Sequence, residues 1–377
     1  MKYKSPLDPS LFESEDDHQK RVSSEDVVQR ALRFHQIWSW ADDVINRSEL
    51  FQESPEVEEV IKALAEARIV HVETLNLGEF ESGTSEKWLV TLEGGQKAIM
   101  KILWWKGKMK PDAMCNYGYE MPSSEIAAFH LHRILGFRNT PYVSGRTVDL
   151  RREIYPVASP SVSKQILLRS GETCVIGKCY YCKSSTTLCP HQGKVEVSMA
   201  YWINRKLTLH TQPPWSKVGF NNKTYCKNIR KTVEPYQKEQ AYFDLFDFAV
   251  LDTLMFHYDS KHYEITDDSL ANGMTVRLDH GRALCASDRD EIDVFLAPIF
   301  QCCTIRQSTF QKLHRFTSAG SLGRALKDSL QRDPLAPILS KEWFAVFDRR
   351  LKVVNEMLDK CAKANGGLDK ILVLDSQ

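Results

Sequence analysis

Two aspartates late in the chain carry the most chemistry: Asp259, in Phe-His-Tyr-Asp-Ser-Lys-His-Tyr-Glu (256–264), and Asp279, in Leu-Asp-His-Gly (278–281). Phosphoryl transfer needs one carboxylate to orient the acceptor hydroxyl, a metal-side group five residues on, and an Asp-x-Gly turn that holds the cation on the phosphates. The fifth residue after Asp259 is Glu264, and Asp279 opens Asp-His-Gly. A carboxylate where asparagine is usual still ligates a hard cation, and with more charge. Asp-x-Gly alone is a common turn sequence, so the pair requires the other half of a nucleotide site upstream, in the right order.

That half is present. Lys87–Glu93 is rich in strand formers, Gly94-Gly95 is a hairpin turn signal, and Gln96–Leu103 returns as a second strand. Alternation puts Lys101 on the face shared with Lys97 and Ile99. An inward lysine is costly unless it meets an anion such as a nucleotide phosphate, and the competing reading is a snorkelling surface lysine. The segment 122–136 then reads as a helix: serine caps its start, Ile126, Phe129 and Ile134 form an apolar stripe, and Gly136 stops it. Glu125 in its first turn complements the helix dipole, and it also stands where a kinase places the glutamate that meets the strand lysine.

The rest of the chain supplies the frame. With 377 residues, 42% of them hydrophobic, there is ample material for a core, and a net charge of +1 gives no global field toward nucleic acid or anionic membrane. The first residues, to about 22, are strongly charged and contain neither an apolar signal core nor a membrane anchor. Residues 24–46 and 55–68 read as amphipathic helices, with Val27, Leu32, Phe34, Ile37 and Trp38 on apolar faces. Residues 241–256 form the most apolar helix; Asp244, Asp247 and Asp252 interrupt it, so it reads as a buried helix leading into the Asp259 loop, not a membrane span. Trp343, Phe344, Phe347, Leu351, Val354, Leu358 and Cys361 follow helical spacing up to Gly366-Gly367. Of the ten cysteines, Cys302 and Cys303 are adjacent and should each seek a distant partner. Spacing alone leaves a disulfide framework and a zinc site built from Cys174, Cys179, Cys182, Cys189 or His191 both open. Asn46-Arg47-Ser48 and Asn222-Lys223-Thr224 are N-glycosylation sequons.

The chain resembles the atypical secretory-pathway kinases of the family-with-sequence-similarity-twenty group. The resemblance is carried by LEGGQK (92–97), EIAAFHLHRILG (125–136), CVIGKCYYC (174–182), Asp259–Glu264 and LAPIFQCCTIR (296–306), and it spans residues 70 to 375. Two residues separate Cys179 from Cys182, as in the family's sugar-directed branch; relatives that phosphorylate secreted proteins carry one more. The resemblance implies an α+β, two-lobed, atypical protein-kinase-like fold. An amino-terminal segment with helices would occupy 1–68, a small β-rich lobe 69–150, and a mainly helical, disulfide-braced large lobe 151–377.

The same resemblance implies roles for individual residues. Asp259 would be the catalytic aspartate, Lys101 a phosphate contact, Glu264 a nucleotide- and metal-side carboxylate, and Asp279 the main metal ligand, with Glu125 drawn into metal coordination. Gly83-Thr84-Ser85 would be the short glycine loop, with Ser85 in place of glutamine, and Tyr201-Trp202-Ile203-Asn204 the hinge that holds adenine. The cofactors would be ATP and Mn2+ (or Mg2+). The disulfides would join Cys174 to Cys189, Cys179 to Cys182, Cys226 to Cys302 and Cys303 to Cys361, leaving Cys115 and Cys285 as thiols. The implied activity is transfer of the ATP γ-phosphate to the 2-hydroxyl of xylose in the glycosaminoglycan–protein linkage region of proteoglycans, in the Golgi lumen, by a glycoprotein that acts alone or as a homo- or heterodimer with a related kinase. The family enters the Golgi through a signal anchor, so the expectation is that this chain lacks its native start or serves another compartment. His257, Ser260, Lys261, His280 and Ile102 depart from the family pattern. A secretory-pathway protein serine kinase and a regulatory pseudokinase therefore stay open as alternatives.

Overall fold

In a computed structural model of the chain, the structure describes residues 24–47, 49–75, 85–103, 121–179, 182, 187–211, 222, 224–260, 262–266 and 274–375. Two helices lead in. Helix α1 (Ser24–Arg47) and helix α2 (Pro55–Glu66) pack their apolar faces toward the small lobe, with Phe34, Trp38, Val57, Val60, Ile61 and Leu64 in the core. Val27 and Leu32 remain exposed, so the amphipathic reading of α1 holds only from Phe34 onward.

The small lobe is a five-stranded antiparallel sheet of β1 (Ile69–Thr74), β2 (Lys87–Leu92), β3 (Lys97–Ile102), β4 (Val143–Asp149) and β7 (Lys194–Tyr201), in the order β1-β2-β3-β7-β4. Gly94 and Gly95 adopt φ of 86° and 95°, which lets Leu92 N–H reach Gln96 O at 2.7 Å and fixes the β2–β3 register. A side chain at Gly94 would meet the α1 backbone at 2.8 Å, so the turn is also a docking point for that helix. The sheet is completed by β7, whose residues the expected division at 150 assigned to the large lobe. The chain first runs through the β5 (Ile166–Arg169) and β6 (Glu172–Val175) hairpin before returning between β3 and β4.

Helix α3 (Pro122–Leu135) crosses beneath the sheet and ends at Gly136, whose φ of 65° is the left-handed stop expected from the sequence. Its start differs: Met121 is the cap residue, and Ser124 Oγ donates instead to Ala283 O at 2.9 Å. Because Met121 N also donates to Gly281 O at 2.7 Å, the first turn of α3 is fastened to the loop that follows Asp279.

The large lobe comprises α4 (Tyr225–Thr232), α5 (Glu239–Met255), α6 (Ile292–Phe295), α7 (Ala297–Cys302), α8 (Gln307–Ser318), α9 (Leu322–Leu330) and α10 (Lys341–Asn365). A three-stranded sheet of β8 (Leu207–Thr211), β9 (His262–Thr266) and β10 (Thr275–Val276), in the order β10-β9-β8, joins it to the cleft, and β11 (Ile305–Arg306) pairs in parallel with β12 (Leu372–Val373). Helix α5 is buried on every side, as its lack of amphipathic pattern requires. Its acids are compensated: Arg306 forms ion pairs with Asp244 (2.7 Å) and Asp247, and Thr309 Oγ1 donates to Asp247 at 2.8 Å. No helix is long and apolar enough to cross a membrane among the described residues.

The four disulfides the resemblance implies are present, Cys174–Cys189, Cys179–Cys182, Cys226–Cys302 and Cys303–Cys361. They consume the cysteines that a zinc site would need. Cys285 is also disulfide-bonded, against the expectation of a thiol. It is buried, and its partner, like the expectation for Cys115, lies outside the described residues. Adjacent cysteines diverge as strain requires: Cys302 reaches back to α4 and Cys303 forward to α10.

Candidate active site

Lys101 enters the site because β3 has a core face and a cleft face. Ala98, Met100 and Ile102 fill the core, while Ile99 and Lys101 line the cleft. The Lys101 side chain is buried, and its ammonium touches both Glu125 Oε1, from α3, and Asp279 Oδ1, from the large lobe. One cation therefore gathers carboxylates that lie far apart in sequence, and the snorkelling reading is excluded. Burial pushes the Glu125 carboxyl up, but Lys101 and His280 outweigh it and hold that group at about 2. Asp279 is likewise raised by burial yet held well below the usual carboxylate range by Lys101 and then Lys87. Asp279 itself has a φ of 64°, a left-handed conformation uncommon for a residue with a side chain and characteristic of strained functional sites.

Sequence reasoning overlooked Lys87. It pairs directly across the β2–β3 ladder from Lys101, lines the cleft, and lies 3.7 Å from Asp279 Oδ2. Like charges opposite each other in a sheet repel, so two buried lysines on one cleft wall mark an anion site. The signal was available in the hairpin register. Arg282 was also missed. It donates from Nη1 to Asp259 Oδ2 at 2.6 Å and fixes one edge of that carboxylate.

Glu264 lies on β9 and lines the same cleft as Lys101 and Asp279. Its Oε2 is buried without a hydrogen-bond partner among the described residues, and burial, with Asp279 nearby, pushes the carboxyl up to about 7. Asp259 is not part of the cleft lining; it stands beyond it, with about a third of its side chain exposed. The turn that carries it begins at Phe256, whose φ of 49° ends α5. Asp252 on that helix accepts from Arg277 Nη2 at 2.7 Å and from Ser260 Oγ, and Arg277 also donates to Ser260 Oγ at 2.6 Å. Ser260, a departure from the family pattern, thus braces the loop that carries Asp259.

His257 and His280, two other departures, are buried and cluster with His132 of α3: the His280 ring lies 5.3 Å from His257, tilted by 55°, and meets His132 edge-on at 5.8 Å. Burial holds His132 and His257 well below the ordinary imidazole value, so both are neutral at physiological pH. His280 Nδ1 lies 3.7 Å from Glu125 Oε2 and backs that carboxylate. Lys261 lies outside the described residues.

The expected hinge is placed in part. Tyr201, Trp202 and Ile203 line the cleft, but Asn204 is exposed and outside it. Tyr201 turns its hydroxyl away from the cleft, donating to Asp42 Oδ1 at 2.7 Å and contacting Trp38 O at 3.2 Å on α1. Around this strip Leu75, Ile99, Pro141, Ala200, Leu207, Leu209 and Leu278 form apolar walls suited to a purine ring, in a cleft of about 480 Å³. Ser85 is not among the lining residues; its Oγ is buried at the entry to β2, and Gly83 and Thr84 lie outside the described residues.

Among the described residues no three acidic, histidine or cysteine side chains already stand at metal-ligating separation. The Lys101 ammonium sits between Glu125 and Asp279, where positive charge is required. The donor set nevertheless fits a hard divalent cation: Asp279 and Glu264 line the cleft, Glu125 stands behind Lys101, and Glu264 Oε2 has no hydrogen-bond partner among the described residues.

Comparison with known proteins agrees with this geometry. A family model described as Fam20C, Golgi casein kinase, C-terminal, matches residues 36–369. The human protein named glycosaminoglycan xylosylkinase is 34% identical over 88% of this chain and 81% of its own length. The solved structure of hydra Fam20 with sugar superposes with a TM-score of 0.80 at 28% identity, covering 90% of this chain and 99% of that one. The Golgi casein kinase with Mn/ADP bound gives 0.81 at 26% identity, over 98% and 86%. A lysine that ties a helix carboxylate to an Asp-x-Gly aspartate, set in this two-lobed frame and matched along most of the sequence, makes the chain a member of the Fam20 kinase family.

Proposed function

We propose that the chain transfers the γ-phosphoryl group of ATP to the 2-hydroxyl of a xylose in the proteoglycan linkage region, within the Golgi lumen. The observation that carries the kinase part is the Lys101–Glu125–Asp279 cluster closing the floor of a nucleotide-sized cleft. The sugar acceptor is supported by the similarity to the human xylosylkinase and by the two-residue spacing within Cys179–Cys182.

Lys101 and Lys87 receive the phosphates, and the apolar walls beside Trp202 and Ile203 receive the base. Glu125, Asp279 and Glu264 would hold Mn2+ or Mg2+, whose chemistry there is neutralising charge shared between phosphates. Asp259 orients the sugar hydroxyl and accepts its proton as the oxygen–phosphorus bond forms and the γ-phosphorus–oxygen bond to ADP breaks. Arg282 keeps the Asp259 carboxylate in one orientation while this happens. Catalysis of this type is positioning and electrostatic stabilisation.

Incubation with ATP, Mn2+ and a Gal-Xyl acceptor tests the reading by transfer of labelled phosphate. Transfer by the wild type, lost in Asp279→Ala, is the expected result. Labelling of serine peptides in preference to the glycan would make the chain a protein kinase. ATP binding without any turnover, with stimulation of a related kinase in a mixed dimer, would make it a regulatory partner.

A further inference from the structure

Tyr258, the residue before Asp259, keeps 44% of its surface exposed although the two rings that hold it are buried. Phe256 stacks against it at 6.1 Å with 27° between planes, and Phe295 meets it at 6.1 Å and 89°. Phe256 is in turn fixed by the guanidinium groups of Arg289 and Arg350, at 5.6 and 5.0 Å from its centre. The exposed ring is therefore mounted on a rigid base. Ile292 and Val294, which precede Phe295 on α6, are each 37% exposed and extend the apolar rim.

Position gives this rim a meaning. The cleft that takes the nucleotide is lined by Lys87, Lys101, Glu264 and Asp279, and neither Asp259 nor Tyr258 belongs to its lining. In an in-line displacement the acceptor oxygen approaches from the side opposite the departing phosphate. It arrives at Asp259 from outside the cleft, where Asp259 is open to solvent and Tyr258 is the adjoining exposed aromatic.

We infer that Tyr258 is the stacking platform for the acceptor sugar, a specificity-determining residue of the proposed glycan kinase reaction, on which this inference rests. A pentopyranose has no exocyclic hydroxymethyl group, so its C–H face is flat and apolar, and it covers an aromatic ring while its hydroxyls stay at the edge. A rigid tyrosine supplies large contact area at low entropic cost and a phenol hydroxyl to bond a sugar oxygen. A peptide serine presents no such face, so the platform selects sugar over peptide. Packing against Phe256 and Phe295 alone would not require the ring to remain so open.

The test uses the full chain with Mn2+ and ATP, comparing wild type with Tyr258→Ala, Tyr258→Phe and Tyr258→Trp on a Gal-Xyl acceptor. Tyr258→Ala should raise the acceptor KM by about tenfold or more, equivalent to about 1.4 kcal/mol, while the KM for ATP changes less than about twofold. The Trp and Phe variants, which keep a ring face, should recover most of the acceptor affinity. Saturation-transfer NMR on the acceptor should show its C–H protons contacting the wild type and not the Ala variant. An unchanged acceptor KM in Tyr258→Ala, or a parallel rise in the KM for ATP, overturns the inference. Should the Ala variant lose its cooperative thermal transition, Ile292→Glu decides on the same two constants, since an acid on the rim weakens stacking without opening the Phe256–Phe295 contact. Phosphorylation of peptide but no glycan by the wild type overturns the proposed function instead.

Discussion

Replacing Glu264 by glutamine isolates the electrostatic design of the cleft. Burial, with Asp279 nearby, carries this carboxyl from 4.5 to about 7. At about 1.4 kcal/mol for each factor of ten in proton affinity, ionising it in the ligand-free fold costs about 3 kcal/mol relative to the unfolded chain. An acid raised in the fold contributes stability that is complete below the unfolded value and lost as pH rises through the folded one. The nucleotide-free wild type should therefore lose about 3 kcal/mol between pH 4.5 and pH 8 through this group. Glu264→Gln has no proton to lose, so it should be more stable than the wild type at pH 8 and nearly equal at pH 5. For a chain of this length the gain corresponds to about 4 °C in Tm. Adding Mn2+ and ADP should reverse the order at pH 8, because the cation favours the ionised carboxylate that glutamine lacks. Thermal scans at both pH values, with and without ligand, check this. A difference between the two proteins that is the same at pH 5 and pH 8 would refute the reasoning, since packing alone does not titrate.

Lys101→Met should lower phosphoryl transfer by about 10²–10³-fold and destabilise the ligand-free protein by about 3–5 kcal/mol, because Glu125 and Asp279 lose the ammonium between them; steady-state kinetics and denaturant titration measure each. Lys87→Met should raise the KM for ATP with a smaller loss of kcat, which assigns Lys87 to phosphate binding. Ser260→Ala should cost about 1–3 kcal/mol of stability by leaving Asp252 and Arg277 short of a buried partner, again read by denaturant titration. The paired change Cys303→Ser with Cys361→Ser should cost about 2–4 kcal/mol by freeing the loop that this bond closes; equal midpoints for the variant and the wild type would contradict it.

Much of the architecture was legible because local chemistry and global role coincide. The Gly94-Gly95 turn, the Gly136 stop and the buried carboxylates of α5 each announce themselves within a few residues. The gathering of Lys101, Glu125 and Asp279 followed from their order along the chain. What stayed hidden depends on distant partners. Nothing near residue 194 says that β7 inserts between β3 and β4, because a strand of that composition pairs equally well elsewhere. Ser124 looks like a helix cap until the Asp279 loop arrives to take its hydroxyl. Ser260 reads as a lost charge until Arg277 and Asp252 close around it, and Cys285 reads as spare because nothing beside it in sequence marks it as bonded. Asn204 was placed in the hinge by sequence adjacency, but it is exposed, although Ile203 before it and Arg205 after it both line the cleft.

The phenol of Tyr201 ties an apolar wall of the cleft to a helix lying ahead of both lobes. Trp38 adds a second rivet, its indole N–H bonded to Glu93 O at 2.9 Å beside the β2–β3 turn. Nucleotide recognition is therefore under remote mechanical support, and a protease cut or splice event between α1 and α2 would loosen the purine seat while leaving each phosphate-handling side chain intact.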